Sequence, residues 1–263
     1  MTLRADPLLT HPAYEIVDAE ASGPWPGPWV VTCDHASNAV PDWVAGGDLG
    51  LPAWDMARHI AYDVGAAGLA RALARHLGSP AILARFSRLV IDPNRGEDDP
   101  TMLMRLYDGS VIPANRRLTP EDVEARLDRL YRPYHAALDG LLGARKDPAI
   151  LAIHSFTPQL KGRPPRPWQV AVLHSHRDGR LAQPVLRRLG AEADLCVGDN
   201  QPYSGHLPGD SIDRHALGPG RLNVLVELRN DLIATPEEQE TWAARLAPIL
   251  QDALSEARRT PHG

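Results

Sequence analysis

Short apolar runs alternate along the chain with longer segments whose apolar residues recur at helical spacing. Each run has the length of a buried strand rather than of a helix. The runs predict strands at Val30–Cys33, Ala81–Ala84, Leu89–Ile91, Ala149–Ile153, Gln169–Leu173, Leu195–Val197 and Asn223–Leu228. Helical patterns predict four helices, at Met56–Leu77, Pro120–Leu141, Leu181–Leu189 and from about Pro236 to Ala257. The second of these starts with Thr119 as its cap and Pro120 as its first residue. This alternation predicts an α/β fold with a mixed, mostly parallel sheet and helices on both faces.

The whole chain, residues 1–263, is expected to form a single α/β domain. Residues 1–28 carry Pro24, Pro26 and Pro28, which predicts an irregular N-terminal lead-in. The proline-rich stretch KGRPPRPW, residues 161–168, is interpreted as a stiff surface loop near the functional site rather than a linker between domains.

Composition narrows the class of protein. A net charge of −5 without a long block of lysine or arginine argues against nucleic acid as a partner. No apolar stretch reaches the ~20 residues needed to cross a bilayer, and the N-terminus lacks the apolar core of a signal peptide, so we expect no membrane partner. Two distant cysteines, Cys33 and Cys196, exclude a disulfide scaffold and favour a reducing compartment, so a cytoplasmic location is expected. No pattern in the sequence indicates the oligomeric state.

Four apolar runs end in polar residues that chemistry can use. Asp34-His35 follows the first run, Asp92 to Arg95 follow the run at 89–91, His154-Ser155 follows the run at 149–153, and Glu227 and Arg229 come at the end of the last. Because parallel strands end at one edge of a sheet, we expect these side chains to converge there.

The two histidines, His35 and His154, suggest a zinc site that needs a third ligand and an open position. The alternative is that each ring only hydrogen-bonds a loop carbonyl. On the predicted helix from residue 56, His59 and Asp63 fall on one stripe together with the preceding Asp55. His59 is therefore a candidate third ligand, with Asp63 or Asp55 orienting a ring, although a solvated charged face would look similar.

Glu227 lies in the apolar stretch NVLVELRNDLI, and glutamate is rarely buried without a partner. It could be the general base for a water molecule beside a metal, or it could form a buried ion pair with Arg229 or Arg88. The planar fork of Arg95, next to the Asn94 amide, suits a small acidic substrate; the alternative is a structural bridge between Arg95 and Asp92.

Seven motifs in this order resemble the N-formylglutamate amidohydrolase family over about residues 29–247. They are DHASN, HIAYDVGA, FSRLVIDPNR, PYH, IHSFTP, GDNQPYSG and VELRNDLI. The family resembles zinc carboxypeptidases and aspartoacylase, which implies a phosphorylase/hydrolase-like, zinc-carboxypeptidase-like α/β core. The resemblance implies hydrolysis of an N-acyl amide on a small acidic amino acid, with N-formyl-L-glutamate giving formate and glutamate.

The resemblance also implies roles for single residues. His35 and His154 match the zinc ligands, Asn94-Arg95 the pair that holds a substrate carboxylate, and Glu227 the base. Arg229 or Arg88 would meet the second carboxylate. Zn2+ is the expected metal, and another divalent ion is the alternative.

One position departs from the pattern of the relatives, in which a glutamate stands three residues after the first histidine. Here Asn38 stands there, and a neutral amide is a poor zinc ligand. The third ligand is then Asn38, His59 or Asp63, and Asp63 is also a candidate catalytic residue. Two other functions stay open, hydrolysis of a different N-acyl amino acid and non-catalytic binding of a small molecule on the same fold.

Overall fold

The computed structural model describes residues 10–20 and 23–259. Eight strands from these residues form one sheet in the order β1-β2-β6-β5-β9-β12-β10-β11. Their bounds are β1 Thr10–His11, β2 Tyr14–Val17, β5 Trp29–Cys33, β6 Ala81–Ala84, β9 Ala149–Phe156, β10 Val170–Leu173, β11 Val197–Asp199 and β12 Asn223–Arg229. Two small hairpins pair β3 Ala19–Glu20 with β4 Gly23–Pro24 and β7 Leu106–Tyr107 with β8 Ser110–Val111.

The central strands β6, β5, β9 and β12 are parallel, so their carboxyl ends share one edge. Strand β10 runs antiparallel to β12 and carries β11 in parallel, while β2 is antiparallel to β6. The sheet is therefore mixed with a parallel centre, as predicted. This arrangement confirms the predicted α/β class.

Six helices connect or cover the strands of the described chain. Their bounds are α1 Ala53–Met56, α2 Ala66–Leu77, α3 Pro120–Arg126, α4 Arg132–Gly143, α5 Ala182–Gly190 and α6 Pro236–Arg259. A π-helical turn, Leu127–Tyr131, joins α3 to α4, so the helical segment predicted from Pro120 is continuous. Its start is fixed by a capping box in which Thr119 and Asp122 bond each other's backbone N–H. No helix within residues 10–20 and 23–259 is both long and apolar enough to span a bilayer.

The sheet has an apolar core on each face, because successive side chains of a strand point to opposite sides. Along β5, Val31 and Cys33 pack with the layer of α2, α5 and α6, while Val30 packs with the layer that contains α4. Both faces of β5 and β9 are buried, which explains why these strands appear as continuous apolar runs in the sequence.

The helix predicted over Met56–Leu77 is wrong in its first half. Helix α1 ends at Met56, residues 57–65 form turns, and α2 starts at Ala66. The backbone of this segment bonds other parts of the chain, since Asp63 N–H donates to His35 O at 2.9 Å and Arg88 N–H to Ala61 O at 3.2 Å. Gly65 closes the segment with φ of +79°, a left-handed conformation that helical periodicity does not reveal.

Three other expectations differ from the structure, and the first is the strand predicted at Leu195–Val197, which lies two residues later, at Val197–Asp199. Leu89–Ile91, predicted as a strand, lies in a turn region whose side chains are fully buried, so its apolarity reflects packing rather than pairing. In the lead-in predicted as irregular over residues 1–28, Tyr14–Val17 form a strand that pairs with β6 on one side and with β1 on the other. Residues 1–9 and 21–22 of that lead-in lie outside the described residues.

Candidate active site at the carboxyl edge of the sheet

Three buried side chains meet where β5 and β9 end. His35 follows β5, His154 lies on β9, and Asp63 comes from the turn before α2. Oδ2 of Asp63 lies 3.3 Å from Nδ1 of His35 and 2.8 Å from Nδ1 of His154. One ligand atom from each residue can be chosen so that all three lie within 4.8 Å of one another. The ends of β5 and β9 thus bring His35 and His154 together. The third side chain, Asp63, comes from residues 57–65, which were predicted as helix and form turns instead.

The charges of this cluster stabilise one another. Burial alone would raise the pKa of Asp63, but the positive potential of His35 and the hydrogen bond from His154 outweigh it and hold that pKa well below its usual range. Burial alone would lower the pKa of His154, yet its bond to Asp63 and that residue's charge raise it to about 9. Asp63 is therefore an ionised carboxylate aimed at two imidazole nitrogens.

A carboxylate behind His35 fixes the orientation of its ring. Nε2 of His35 lies 2.7 Å from Oδ1 of Asp92, and Arg88 donates to Oδ2 of the same carboxylate at 2.8 and 3.2 Å. A carboxylate on the far nitrogen is the usual support of a metal-binding histidine, because it sets the tautomer and raises the basicity of the other nitrogen. Nδ1 of His35 is thereby turned toward Asp63.

Glu227 faces the cluster from β12, whose register places it beside His154 on β9. Its side chain is buried and its Oε2 has no hydrogen-bond partner among the described residues. Burial, with the charge of Asp63 adding to it, raises the pKa of Glu227 to about 7. An unpaired carboxyl that titrates near neutrality suits a group that accepts and returns a proton.

The donor set fits a divalent metal. Zinc bonds of ~2.0–2.1 Å in a tetrahedron separate ligand atoms by about 3.3 Å, close to the spacing around Oδ2 of Asp63. Two further buried atoms, Nε2 of His154 and Oδ2 of Asp34, make no hydrogen bond within the described part of the chain and lie 3.9 Å apart. Two imidazoles and a carboxylate are ligands that zinc accepts.

The three candidates for the third ligand lie in different places. The side-chain amide of Asn38 donates to Met56 O at 2.8 Å and does not line the cavity. His59 does line the cavity, but its Nε2 is 3.5 Å from Asp108, and it is absent from the cluster found among the described residues. Asp63 is the candidate that contacts both His35 and His154.

A cavity of about 290 Å³ opens onto this cluster. Arg88, Asn94 and Arg95, which were predicted to bind the substrate, line it together with Glu227, and the polar group at 92–95 follows a turn rather than a strand. Arg229 does not line it, since its guanidinium bonds Asp231 at 2.8 Å and Arg166 O at 3.4 Å. The cavity suits a small polar molecule.

Several cavity residues were not singled out from the sequence. Asp210 is buried at the wall, and Tyr107 comes from the β7–β8 hairpin. The motif GDNQPYSG, in contrast, was a usable signal, because Tyr203, Ser204 and Gly205 line the cavity. Asp210 follows a proline and glycine in a loop, and no local pattern distinguishes it from a turn residue.

A family model described as N-formylglutamate amidohydrolase matches residues 27–234. The chain belongs to this family. The family resemblance expected from the motifs is therefore confirmed, and with it the assignment of the chain as a hydrolase of this family.

Individual relatives agree with the family. N-formylglutamate deformylase of Pseudomonas putida is 26% identical over 241 residues, which cover 83% of this chain and 85% of the relative. The crystal structure of a gene product of Agrobacterium tumefaciens matches with a TM-score of 0.86 at 34% identity, over 94% of this chain and 96% of the other. That of N-formylglutamate amidohydrolase from Ralstonia eutropha matches with a TM-score of 0.65 at 25% identity, over 94% and 99%.

Proposed function

We propose that this chain hydrolyses N-formyl-L-glutamate to formate and L-glutamate, with a divalent metal bound by His35, His154 and Asp63. The observation that carries the proposal is Glu227, whose buried Oε2 makes no hydrogen bond to the residues that the structure describes and which lines a small cavity together with that three-residue cluster. The family membership and the name of the relative from Pseudomonas putida support the choice of substrate.

The metal supplies Lewis acidity, which polarises the formyl group and acidifies water. Glu227 takes a proton from the attacking water and delivers it to the leaving nitrogen. A buried glutamate beside a metal suits both steps, because the cation favours its ionised form for the first and the closed, low-dielectric cavity favours return of the proton in the second. Arg88 and Asp92 keep the ring of His35 in place while this happens.

The cavity offers cations for the two carboxylates of the substrate. Arg95 is held by Asn94 O at 2.7 Å and Thr101 Oγ1 at 3.1 Å, which leaves one terminal nitrogen for a carboxylate oxygen. Arg88 also lines the cavity and is the second candidate. Arg229, bonded to Asp231 outside the cavity, is not part of this proposal.

The proposal is tested by measuring metal content and turnover on the purified protein before and after chelation. We expect about one zinc per chain, loss of N-formyl-L-glutamate hydrolysis on chelation, and recovery with zinc. Thermal unfolding should shift upward when zinc is restored, since a ligand of the folded state stabilises it.

A substrate panel separates the alternatives. N-acetyl-L-glutamate tests the acyl pocket, and N-formyl-L-leucine tests the need for a second carboxylate. Turnover of another acyl amino acid in preference to N-formyl-L-glutamate would redirect the proposal, and metal binding without any turnover would indicate a binding protein.

A further inference from the structure

A second buried carboxyl group, Asp210, lines the cavity and has no role in the mechanism above. The residue is 6% exposed. Its Oδ1 accepts a hydrogen bond from Asp213 N–H at 2.7 Å, so the side chain is fixed. The adjacent Ser211 docks this segment on the substrate-binding corner, because its N–H donates to Asn94 Oδ1 at 3.2 Å and its hydroxyl to Pro93 O at 3.4 Å.

The second oxygen of Asp210, Oδ2, makes no hydrogen bond with the described residues, while the residue itself lines the cavity. The charged groups that act on it are Asp34, Asp213 and Arg95. Those that act on Glu227 are His154, Asp63, His35 and Arg88. The two carboxyl groups therefore face the cavity from different sides, Glu227 beside the candidate metal ligands and Asp210 beside Arg95.

The chemistry of the substrate limits what Asp210 can bind. An N-acyl acidic amino acid in its dianionic form presents acceptors at both carboxylates and at the acyl oxygen. Its amide N–H is its single hydrogen-bond donor. The carboxylates are served by arginine and asparagine donors, and Glu227 is engaged with water. An acceptor that faces the cavity without a partner is matched by that N–H.

Resting on the proposed function, we propose that Oδ2 of Asp210 accepts the hydrogen bond of the substrate's amide N–H. This contact turns the acyl carbon toward His154 and Glu227 and leaves the carboxylates on the side of Arg95. It also restricts the substrates to acyl derivatives of primary amino acids, because an acylated proline has no N–H to donate.

The contact strengthens as the reaction proceeds. Hydrolysis converts the formyl amide and one water molecule into formate and the ammonium form of the amino acid. The C–N bond breaks, and the nitrogen that Asp210 faces gains two protons and a positive charge. A hydrogen bond between an ammonium and a carboxylate is stronger than one from a neutral amide. Asp210 therefore favours the transition state over the bound substrate, which raises kcat as well as affinity.

The variant Asp210→Asn tests this directly. The side-chain oxygen of asparagine can keep the hydrogen bond from Asp213 N–H. Its amino group then takes the place of Oδ2, so that this N–H donor faces the N–H donor of the substrate amide. For N-formyl-L-glutamate we expect kcat/KM to fall by about 10- to 100-fold, the effect of losing a charge-assisted hydrogen bond. For the ester analogue O-formyl-2-hydroxyglutarate, which has an oxygen in place of the N–H, we expect no loss, because the asparagine amino group can donate to that oxygen.

The controls make failure informative. Asp199→Asn removes a carboxylate outside the cavity lining, where it bonds His174, and should change neither substrate's turnover. Asp210→Ala, which also removes the acceptor, should reproduce the loss on the amide. Equal losses on amide and ester, or faster turnover of the amide by Asp210→Asn, would overturn the proposal while leaving the proposed function intact. A wild-type protein that does not hydrolyse the amide at all overturns both.

Discussion

Replacing Asp92 by asparagine should damage the site without touching the substrate. Oδ1 of Asp92 accepts from His35 Nε2 at 2.7 Å and from Asn94 N–H at 2.9 Å, and Oδ2 accepts two bonds from Arg88. Both oxygens are thus fully used. The amino group of the asparagine side chain must then face either the donors of Arg88 or the ring of His35, and neither placement is satisfied.

The magnitude follows from burial. Arg88 and Asp92 are 9% and 1% exposed, so their pair is shielded from water. Removing one partner of a buried pair costs about 3–5 kcal/mol of unfolding free energy, because the remaining charge is left uncompensated. Activity should fall by about 10- to 100-fold even where the protein stays folded, the usual effect of losing the carboxylate behind a metal-binding histidine.

Urea unfolding and kcat/KM measure the two effects, and Glu15→Gln is the matched control. Glu15 receives two bonds from Arg71, at 3.2 and 2.7 Å, but both side chains are about one third exposed. An exposed pair contributes about 0–1 kcal/mol, so this variant should lose little. Similar small losses in both variants, with activity retained in Asp92→Asn, would refute the assigned role of Asp92.

Three further outcomes are expected. Glu227→Gln should lower kcat by about 10²–10⁴ with metal content unchanged, and near-normal turnover would exclude Glu227 as the base. Burial, with the charges of Asp34 and Asp213, raises the pKa of Asp210 from 3.8 to about 7, so ionisation of Asp210 destabilises the folded protein as the pH rises from about 4 to about 7. Asp210→Asn removes this ionisation. In urea titrations the variant should therefore gain up to roughly 4 kcal/mol of unfolding free energy at pH 8 and little at pH 4. Gly65→Ala should lower the unfolding free energy by more than about 2 kcal/mol and reduce activity, because a Cβ there would lie 2.2 Å from Ile233 O. Gly78→Ala is the control, because Gly78 also has a positive φ, +54°, but a Cβ there meets no described atom within 4 Å, so the expected loss is about 1 kcal/mol. Equal losses in the two variants would contradict the clash at Gly65.

The sequence predicts those parts of the site that depend on the parallel sheet. His35, His154 and Glu227 could be placed together because each follows or ends an apolar run, and strand polarity forces such ends to one edge. The local sequence pattern is sufficient to locate these strands, because strands that are buried on both faces of a sheet appear in the sequence as continuous apolar runs.

The remaining parts depend on contacts that are distant in sequence. Residues 57–65 have helical periodicity, yet their backbone bonds His35 and Arg88 instead, and this frees Asp63 to reach both histidines. Asp210 lines the cavity in a loop whose next residue, Ser211, bonds Asn94, which is far away along the chain. Neither event leaves a signal in spacing or composition.

The balance of charge in the site is an argument for a cation that is independent of ligand spacing. Five buried carboxyl groups surround the cavity or support its walls: Asp34, Asp63, Asp92, Asp210 and Glu227. Against them the site sets Arg88, Arg95 and the imidazole rings of His35 and His154, and an acidic substrate adds two more negative charges. Burial, with the neighbouring carboxylates adding to it, raises the pKa of both Glu227 and Asp210 to about 7, which is the direction expected where negative charge is in excess. A divalent cation at Asp63 would relieve this excess, lowering the pKa of Glu227 and keeping it ionised as a base at neutral pH.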